Sequence, residues 1–160
     1  MQVPMTIESA ISADAGLDWS VLSECGGVRA GTVAPAQVVT VAADRLDRMR
    51  TAMSAAVGDI EVSAGIADVC PDPLVFAVAA GLPRPTGFDR SIDGGSRWRD
   101  EAPLGAGPLY AVSQIADIAQ RRTRDGRRLV RVVYSTRFTD AGGALVGIAE
   151  GTGIHIGGAP

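Results

Sequence analysis

Residues 71–81 decide the fold of this chain, with the sequence Pro71-Asp72-Pro73-Leu74-Val75-Phe76-Ala77-Val78-Ala79-Ala80-Gly81. Asp72 is a favourable N-cap, Pro73 suits the first helical position, and Gly81 is typical of the residue just past a helix end. Every side chain between Pro73 and Gly81 is apolar, so a short helix without a polar face is predicted. About nine residues are too few to span a bilayer, so this helix must be buried inside the protein.

The strands that could cover this helix follow it along the chain. Four strands are predicted, over residues 92–102, 110–121, 130–138 and 146–156. Asp-Gly at 125–126 is a hairpin signal, and Gly-Gly at 142–143 marks another turn. One short helix wrapped by a curled antiparallel sheet is the hot-dog architecture, so a single hot-dog fold of the α+β class is predicted.

Alternation within the last two strands predicts which side chains face the helix. One face of the third strand carries Val130, Val132, Tyr134, Thr136 and Phe138. One face of the last strand carries Gly147, Ala149, Gly151 and Gly153. Small residues allow another backbone to approach closely, and the Ala-rich buried helix is the candidate neighbour.

The N-terminal half is predicted to add a leader and a surface helix. Residues 1–16 are small, polar and aperiodic, which is typical of a flexible leader. A single domain is expected over residues 17–160. Pro35 is expected to open an amphipathic helix, with Leu46 and Met53 on its apolar stripe and an Asp44–Arg48 pair off it.

Composition excludes several functional classes. The net charge of −3 leaves no basic surface for nucleic acid. Cys25 and Cys70 are too few for a disulfide scaffold and lack metal-site spacing. No run reaches the length of a membrane span, and the first residues lack the pattern of a signal peptide, so a cytoplasmic protein is expected.

Several short motifs follow one another between residues 30 and 156. They are Val33-Ala34-Pro35, Asp93-Gly94-Gly95-Ser96-Arg97-Trp98, Ala102-Pro103-Leu104, Ile115-Ala116-Asp117-Ile118, Arg124-Asp125-Gly126-Arg127 and Thr139-Asp140-Ala141-Gly142-Gly143-Ala144-Leu145-Val146. Their order resembles the N-terminal, non-catalytic hot-dog half of MaoC-like acyl-thioester dehydratases, near mesaconyl-CoA hydratase-like proteins.

This resemblance implies a function, and the chain departs from it at one decisive point. Catalytic members of the family use an Asp and a His, on a loop before the central helix, as a general acid/base pair. The sole histidine here, His155, lies on the last strand and is expected at the surface or an interface. The resemblance therefore implies a non-catalytic or half-site subunit of a hydratase-dehydratase, a lyase component that works with a catalytic hot-dog partner.

The resemblance implies an acyl thioester as the substrate. Its coenzyme A or phosphopantetheine group is part of that substrate, so no separate cofactor is expected. No metal is expected either. Candidate substrate-binding residues are Asp72, Phe76, Gly94, Gly95, Trp98, Arg124 and Arg127. The guanidinium groups of Arg124 and Arg127 suit phosphate, although a solvated hairpin tip is the alternative. The Gly94-Gly95 pair is alternatively a strand bulge, and Trp98 is alternatively a core or interface residue.

Two other functions remain open on sequence grounds. Hot-dog thioesterases often use a lone carboxylate near the central helix, and Asp72 is placed there, although an N-cap is its alternative role. A binding or tailoring protein for a biosynthetic thioester or another small apolar ligand is the second possibility. A single hot-dog unit leaves a strand edge exposed, so a dimer is expected, either with itself or with a catalytic partner.

Overall fold

The computed structural model describes residues 18–57 and 81–157. The predicted leader at 1–16 and the predicted central helix at 73–80 lie outside the described residues. The described elements are β1 (Ser20–Val21), β2 (Glu24–Cys25), β3 (Val28–Arg29), β4 (Gln37–Val41), α1 (Ala43–Val57), β5 (Arg90–Asp100), β6 (Gly107–Arg122), β7 (Arg128–Thr139) and β8 (Leu145–Gly157).

The long strands form one antiparallel sheet, as the sequence predicts. Its order is β1-β6-β7-β8-β5, and β4 also pairs with β6. Strands β2 and β3 form a separate small hairpin. The turns predicted at Asp-Gly 125–126 and Gly-Gly 142–143 are confirmed, because Gly126 and Gly143 have positive φ angles of 83° and 84°.

The helix expected from Pro35 begins later, at Ala43. Residues 37–41, Gln-Val-Val-Thr-Val, form strand β4 instead, since a β-branched run favours the extended backbone and β6 offers a free edge to pair with. Two parts of the amphipathic prediction are confirmed, because Leu46 is buried and Asp44 pairs with Arg48 at 2.6 Å on the exposed side. The predicted place of the Met53 side chain on the apolar stripe lies outside what the structure describes.

The inner face of the sheet is the one that the alternation predicts. The five predicted side chains of β7 are all buried: Val130, Val132, Tyr134, Thr136 and Phe138. In β8, Gly153, Gly151, Ala149 and Gly147 stand opposite Val132, Tyr134, Thr136 and Phe138 and so share their face. The row of small residues therefore lies on the inner face of the sheet.

Buried apolar side chains on this face form two clusters. The hairpin-end cluster lies toward the β6–β7 turn and includes Ile115, Ile118, Val130, Val132 and Tyr134. The helix-end cluster lies toward α1 and includes Leu46, Leu109, Ala111, Phe138 and Ala149. Between them, the hydroxyls of Ser113 and Thr136 form a buried hydrogen bond of 2.8 Å.

Residues 81–89 cross from one edge of the sheet to the other. Leu82 packs in the hairpin-end cluster, and the N–H of Thr86 donates to the carbonyl of Gly26 at 2.9 Å. The N–H of Asp89 then donates to the carbonyl of Ile156 in β8 at 3.0 Å, just before β5 begins. In the part of the chain that the structure describes, no helix has the length and hydropathy needed to cross a membrane.

Candidate functional site

Two polar rings lie side by side on the inner face at the hairpin end. Tyr134 in β7 stands opposite Gly151, and His155 in β8 stands opposite Val130, so the register directs both inward. Tyr134 is 7% exposed and His155 is 4% exposed. Their neighbours are mainly apolar, so each polar atom needs a partner within the protein or a ligand.

Only one of the three polar atoms on these rings has a hydrogen-bond partner within the described part of the chain. His155 Nδ1 forms a 2.9 Å hydrogen bond with the Ser91 hydroxyl on β5, and the Phe88 ring lies 5.5 Å from the imidazole. His155 Nε2 and the Tyr134 hydroxyl are both buried and have no hydrogen-bond partner among residues 18–57 and 81–157. Leaving a buried polar group unpaired costs about 1–3 kcal/mol, so two such groups in one place call for an explanation.

A glycine lies against both rings. A Cβ atom on Gly153 would lie 3.0 Å from His155 Nε2 and 3.6 Å from Tyr134 Cε2, the ring carbon adjacent to the one that carries the hydroxyl. A side chain at position 153 would therefore crowd the imidazole. We call Tyr134, Gly153 and His155 together the β7–β8 polar site.

Burial favours the uncharged form of both rings at neutral pH. Burial raises the pKa of Tyr134, and the positive charge of Arg84 opposes that shift only in part. Burial, and then the charge of Arg84, lower the pKa of His155 below its ordinary value of 6.5. The site thus presents a phenolic hydroxyl and an uncharged imidazole.

The structure shows why the sequence does not single out this site. The prediction that His155 lies at the surface or an interface is wrong, because the ring is buried within the chain. The available signal is the period of two along β8, which places His155 on the same face as Gly151 and Gly153. Tyr134 was correctly placed on the inner face, but nothing in the sequence shows that its hydroxyl lacks a partner.

The sequence-predicted substrate residues lie in several separate places. Asp72 and Phe76 are outside the described residues. Gly94 and Gly95 lie in β5 at a register shift between Asp93 and Ser96, which is a bulge. Gly95 has a φ of 107°, and its N–H donates to the Asp93 carboxylate at 2.8 Å. This geometry accounts for the glycine pair without a ligand.

Trp98 lies at the opposite end of the sheet from the predicted arginines. Its ring packs 5.5 Å from Phe138, and it borders a surface cleft of about 240 Å³ with Arg97, Arg99, Ile148 and Glu150. Arg97 is paired with Glu150, and Arg99 with Glu101 at 2.8 Å, so the cations of this cleft are neutralised.

Arg124 and Arg127 lie at the exposed tip of the β6–β7 hairpin, where Arg127 pairs with Asp125 at 3.1 Å. Trp98 pairs with Ala149 of β8, which in turn pairs with Thr136 of β7. Along β7, Arg128 at the hairpin lies eight positions before Thr136. At the rise of a β-strand, the distance between these two positions is about 27 Å. The described structure therefore does not bring Trp98 and the two arginines into one site.

Among the described residues, no group of His, Cys, Asp or Glu side chains is arranged to hold a metal ion. Cys25 is buried and accepts a 3.2 Å hydrogen bond from the Arg128 guanidinium.

Comparison with known proteins gives only distant structural likenesses. No family model and no curated protein matches the sequence. The chain is similar to the unliganded R-hydratase PhaJ1 from Pseudomonas aeruginosa, with 17% identity over 89% of this chain and 90% of that chain and a TM-score of 0.46. It is also similar to a hot-dog-like protein from Thermanaerovibrio acidaminovorans, with 20% identity over 80% and 83% of the two chains and a TM-score of 0.40.

Proposed function

We propose that this chain is a hot-dog domain that serves as the non-catalytic or half-site subunit of an acyl-thioester hydratase-dehydratase. In this role it lines part of the acyl tunnel while a catalytic hot-dog partner supplies the acid/base pair. The thioester carries coenzyme A or phosphopantetheine as part of the substrate.

The observation that supports this role most directly is the position of the only histidine. The sequence holds one His, and the structure places it in β8 with Nδ1 bound to Ser91. Adding water across a C–C double bond needs a base and an acid at the reacting carbons, and the family pattern supplies them from an Asp and a His on a loop. The given sequence holds no second histidine for such a loop, which supports a role in which the acid/base pair is supplied by a catalytic partner.

The sheet supports the hot-dog part of the proposal. The described segments on either side of residues 58–80 lead to its opposite edges, since β4 pairs with β6 at one edge and β5 with β8 at the other. The inner face between those edges carries the small residues of β8. In the described structure β5 pairs only with β8, so its outer edge is open to a partner strand, from a second copy or from a catalytic subunit.

Hydratase assays on crotonyl-CoA test the proposal. We expect the purified chain to be inactive, and the complex recovered by co-purification from the native host to be active. Removing this chain from the complex should then lower the activity or change the acyl-chain preference. Hydration of crotonyl-CoA by the purified chain alone would contradict the half-site role.

The β7–β8 polar site favours a second candidate, a hot-dog protein that binds a small apolar ligand without water chemistry. Two unpaired polar atoms facing an apolar cluster are typical of a site in which a few polar groups orient a ligand. The thioesterase alternative depends on Asp72. Asp72→Asn keeps the predicted N-cap, so any thioester hydrolysis that survives this change would eliminate that alternative.

A further inference from the structure

We propose that Ser91 and His155 form a nucleophile–base pair, in which the Ser91 hydroxyl accepts an acyl group from an activated ester or a thioester. This chemistry is acyl transfer rather than hydration, so the proposal does not depend on the half-site role, and the hydratase assays are read independently of it. The pair uses Nδ1 of the imidazole and requires no space at Nε2.

The geometry of the pair is that of a hydroxyl nucleophile and its general base. Ser91 Oγ lies 2.9 Å from His155 Nδ1, within the reach at which an imidazole can take a hydroxyl proton. Ser91 of β5 stands directly opposite His155 of β8, so the register of the sheet fixes this contact. When the imidazole proton is on Nε2, Nδ1 accepts the hydrogen bond and the Ser91 hydroxyl donates it.

The imidazole is held in place by packing as well as by Ser91. The Phe88 ring lies 5.5 Å from it, and a Cβ atom on Gly153 would lie only 3.0 Å from Nε2, so the side of the ring away from Ser91 is closely packed. Burial lowers the pKa of His155, which favours the neutral form at neutral pH. A neutral imidazole held against a hydroxyl is what a general base requires.

The nucleophile is accessible although the base is not. Ser91 is exposed, whereas His155 is buried. In the described sheet β5 is an edge strand, and the N–H groups of successive residues in a strand point to opposite sides. Either Ser91 or Ile92 therefore directs its N–H to the open edge. This N–H can donate a hydrogen bond to the oxyanion that forms as the hydroxyl attacks.

The reaction needs only an acyl donor and water. Ser91 Oγ attacks the acyl carbonyl carbon while Nδ1 takes the hydroxyl proton, and the C–S bond of a thioester breaks as the thiolate leaves and takes up that proton. Water then attacks the acyl-serine, releases the carboxylic acid and restores the hydroxyl. His155 Nε2 has no hydrogen-bond partner among the described residues to stabilise the imidazolium, so we expect slow acylation that activated donors reveal.

Phenylmethylsulfonyl fluoride and p-nitrophenyl acetate test the pair in the purified full chain. The first should form an O–S bond to Ser91 with loss of fluoride, and the second should acetylate Ser91 and release p-nitrophenolate. Trypsin cleaves after Arg90 and Arg97, so Ser91 and Ser96 share one peptide, whose fragmentation by mass spectrometry locates the adduct. Ser91 should react at least about a hundredfold faster than Ser96, which stands opposite Gly151 and so faces no base across the strand pair.

Three variants show whether the reaction depends on the pair. Ser91→Ala should abolish the adduct, and because Ser91 is exposed the fold should survive this change. His155→Gln should slow acylation of Ser91 at least about a hundredfold, since the base is removed. Ser96→Ala is the matched control, the same change on the same strand, and Ser91 should react in it at the unaltered rate. Far-UV circular dichroism shows whether each variant is folded.

Four results would overturn the proposal. They are the absence of an adduct on Ser91, equal reaction of Ser91 and Ser96, an undiminished rate at Ser91 in folded His155→Gln, and an adduct on His155 instead of Ser91. Unfolding the unaltered chain in urea separates the two residues of the pair, so the rate at Ser91 should then fall to that at Ser96.

Discussion

At the scale of single residues, the Tyr134 hydroxyl is a polar group whose removal should stabilise the chain. It is buried and unpaired among the described residues. Tyr134→Phe should therefore raise the free energy of unfolding by about 1 kcal/mol, because an unsatisfied polar group is removed with little change in packing. Urea unfolding measures the effect. Tyr110→Phe is the control, since Tyr110 is 43% exposed and its hydroxyl can meet water, so no gain is expected there. A loss of stability in Tyr134→Phe would show that the hydroxyl has a partner after all.

The Ser113–Thr136 pair is the opposite case, a buried polar contact that is fully made. Its 2.8 Å hydrogen bond lies between the two apolar clusters. Thr136→Val keeps the shape but leaves the Ser113 hydroxyl unpaired, and should cost about 1–3 kcal/mol of unfolding free energy. Adding Ser113→Ala should restore part of that loss, because no unpaired group then remains. A double-mutant cycle in urea measures the coupling, and additive effects would mean that the hydroxyls do not depend on each other.

The buried imidazole should make stability depend on pH. In the unfolded chain His155 takes up its proton near the ordinary pKa of 6.5, whereas in the folded chain burial and Arg84 lower that pKa. As the pH falls below about 6.5, the unfolded state binds more protons than the folded state, so acidification must lower the free energy of unfolding. Above that pH the imidazole is neutral in both states and this loss of stability is absent.

His155→Gln removes the titrating imidazole. Comparison with the unaltered chain therefore separates the effect of His155 protonation from that of the carboxylates. Free energies of unfolding at about pH 7.5 and about pH 5.5 should differ less in His155→Gln than in the unaltered chain. The same loss of stability in both proteins would assign it to other groups.

At the scale of elements, the small residues of β8 are required by what lies against them. A Cβ on Gly147 would stand 2.3 Å from Trp98 Cζ2 and 2.9 Å from the carbonyl oxygen of Arg99. Gly147→Ala should therefore destabilise the chain by about 1–3 kcal/mol through overpacking, even though its backbone is not in the left-handed region. Thermal unfolding measures the change, with Gly105→Ala as an uncrowded control that should be near neutral. Equal stability of the two variants would mean that the Trp98 ring moves aside at no cost.

The elements differ in how far the sequence could predict them. The face of β7 and the small-residue face of β8 follow from a period of two, because each strand is long and packed on one side. The sequence predicts a helix where the structure has β4, because Val39 and Leu46 fit a helical stripe. The partner strand that stabilises Val38–Val41 lies about 70 residues away in β6, so no local pattern reveals it. The candidate site could not be predicted, because it depends on which buried atoms lack partners.

At the scale of the whole molecule, two strands tie the two apolar clusters together. β6 and β7 each contribute buried side chains to both the hairpin-end cluster and the helix-end cluster, so neither cluster can lose its strands without weakening the other. We therefore expect one cooperative unfolding transition for the described sheet.

The two tryptophans report on opposite ends of that sheet. Trp19 lies against the guanidinium groups of Arg121 and Arg131, 4.9 Å and 4.8 Å from its ring, while Trp98 packs against Phe138 in the helix-end cluster. In Trp98→Phe the fluorescence of Trp19 should follow the far-UV circular dichroism through urea unfolding, and in Trp19→Phe the fluorescence of Trp98 should do the same. Adding Phe138→Leu should lower both midpoints, because the fully buried Phe138 anchors a strand that both ends share. If Trp19 fluorescence kept its midpoint while that of Trp98 fell, the two ends would be separate folding units, and the sheet would not transmit stability along its strands.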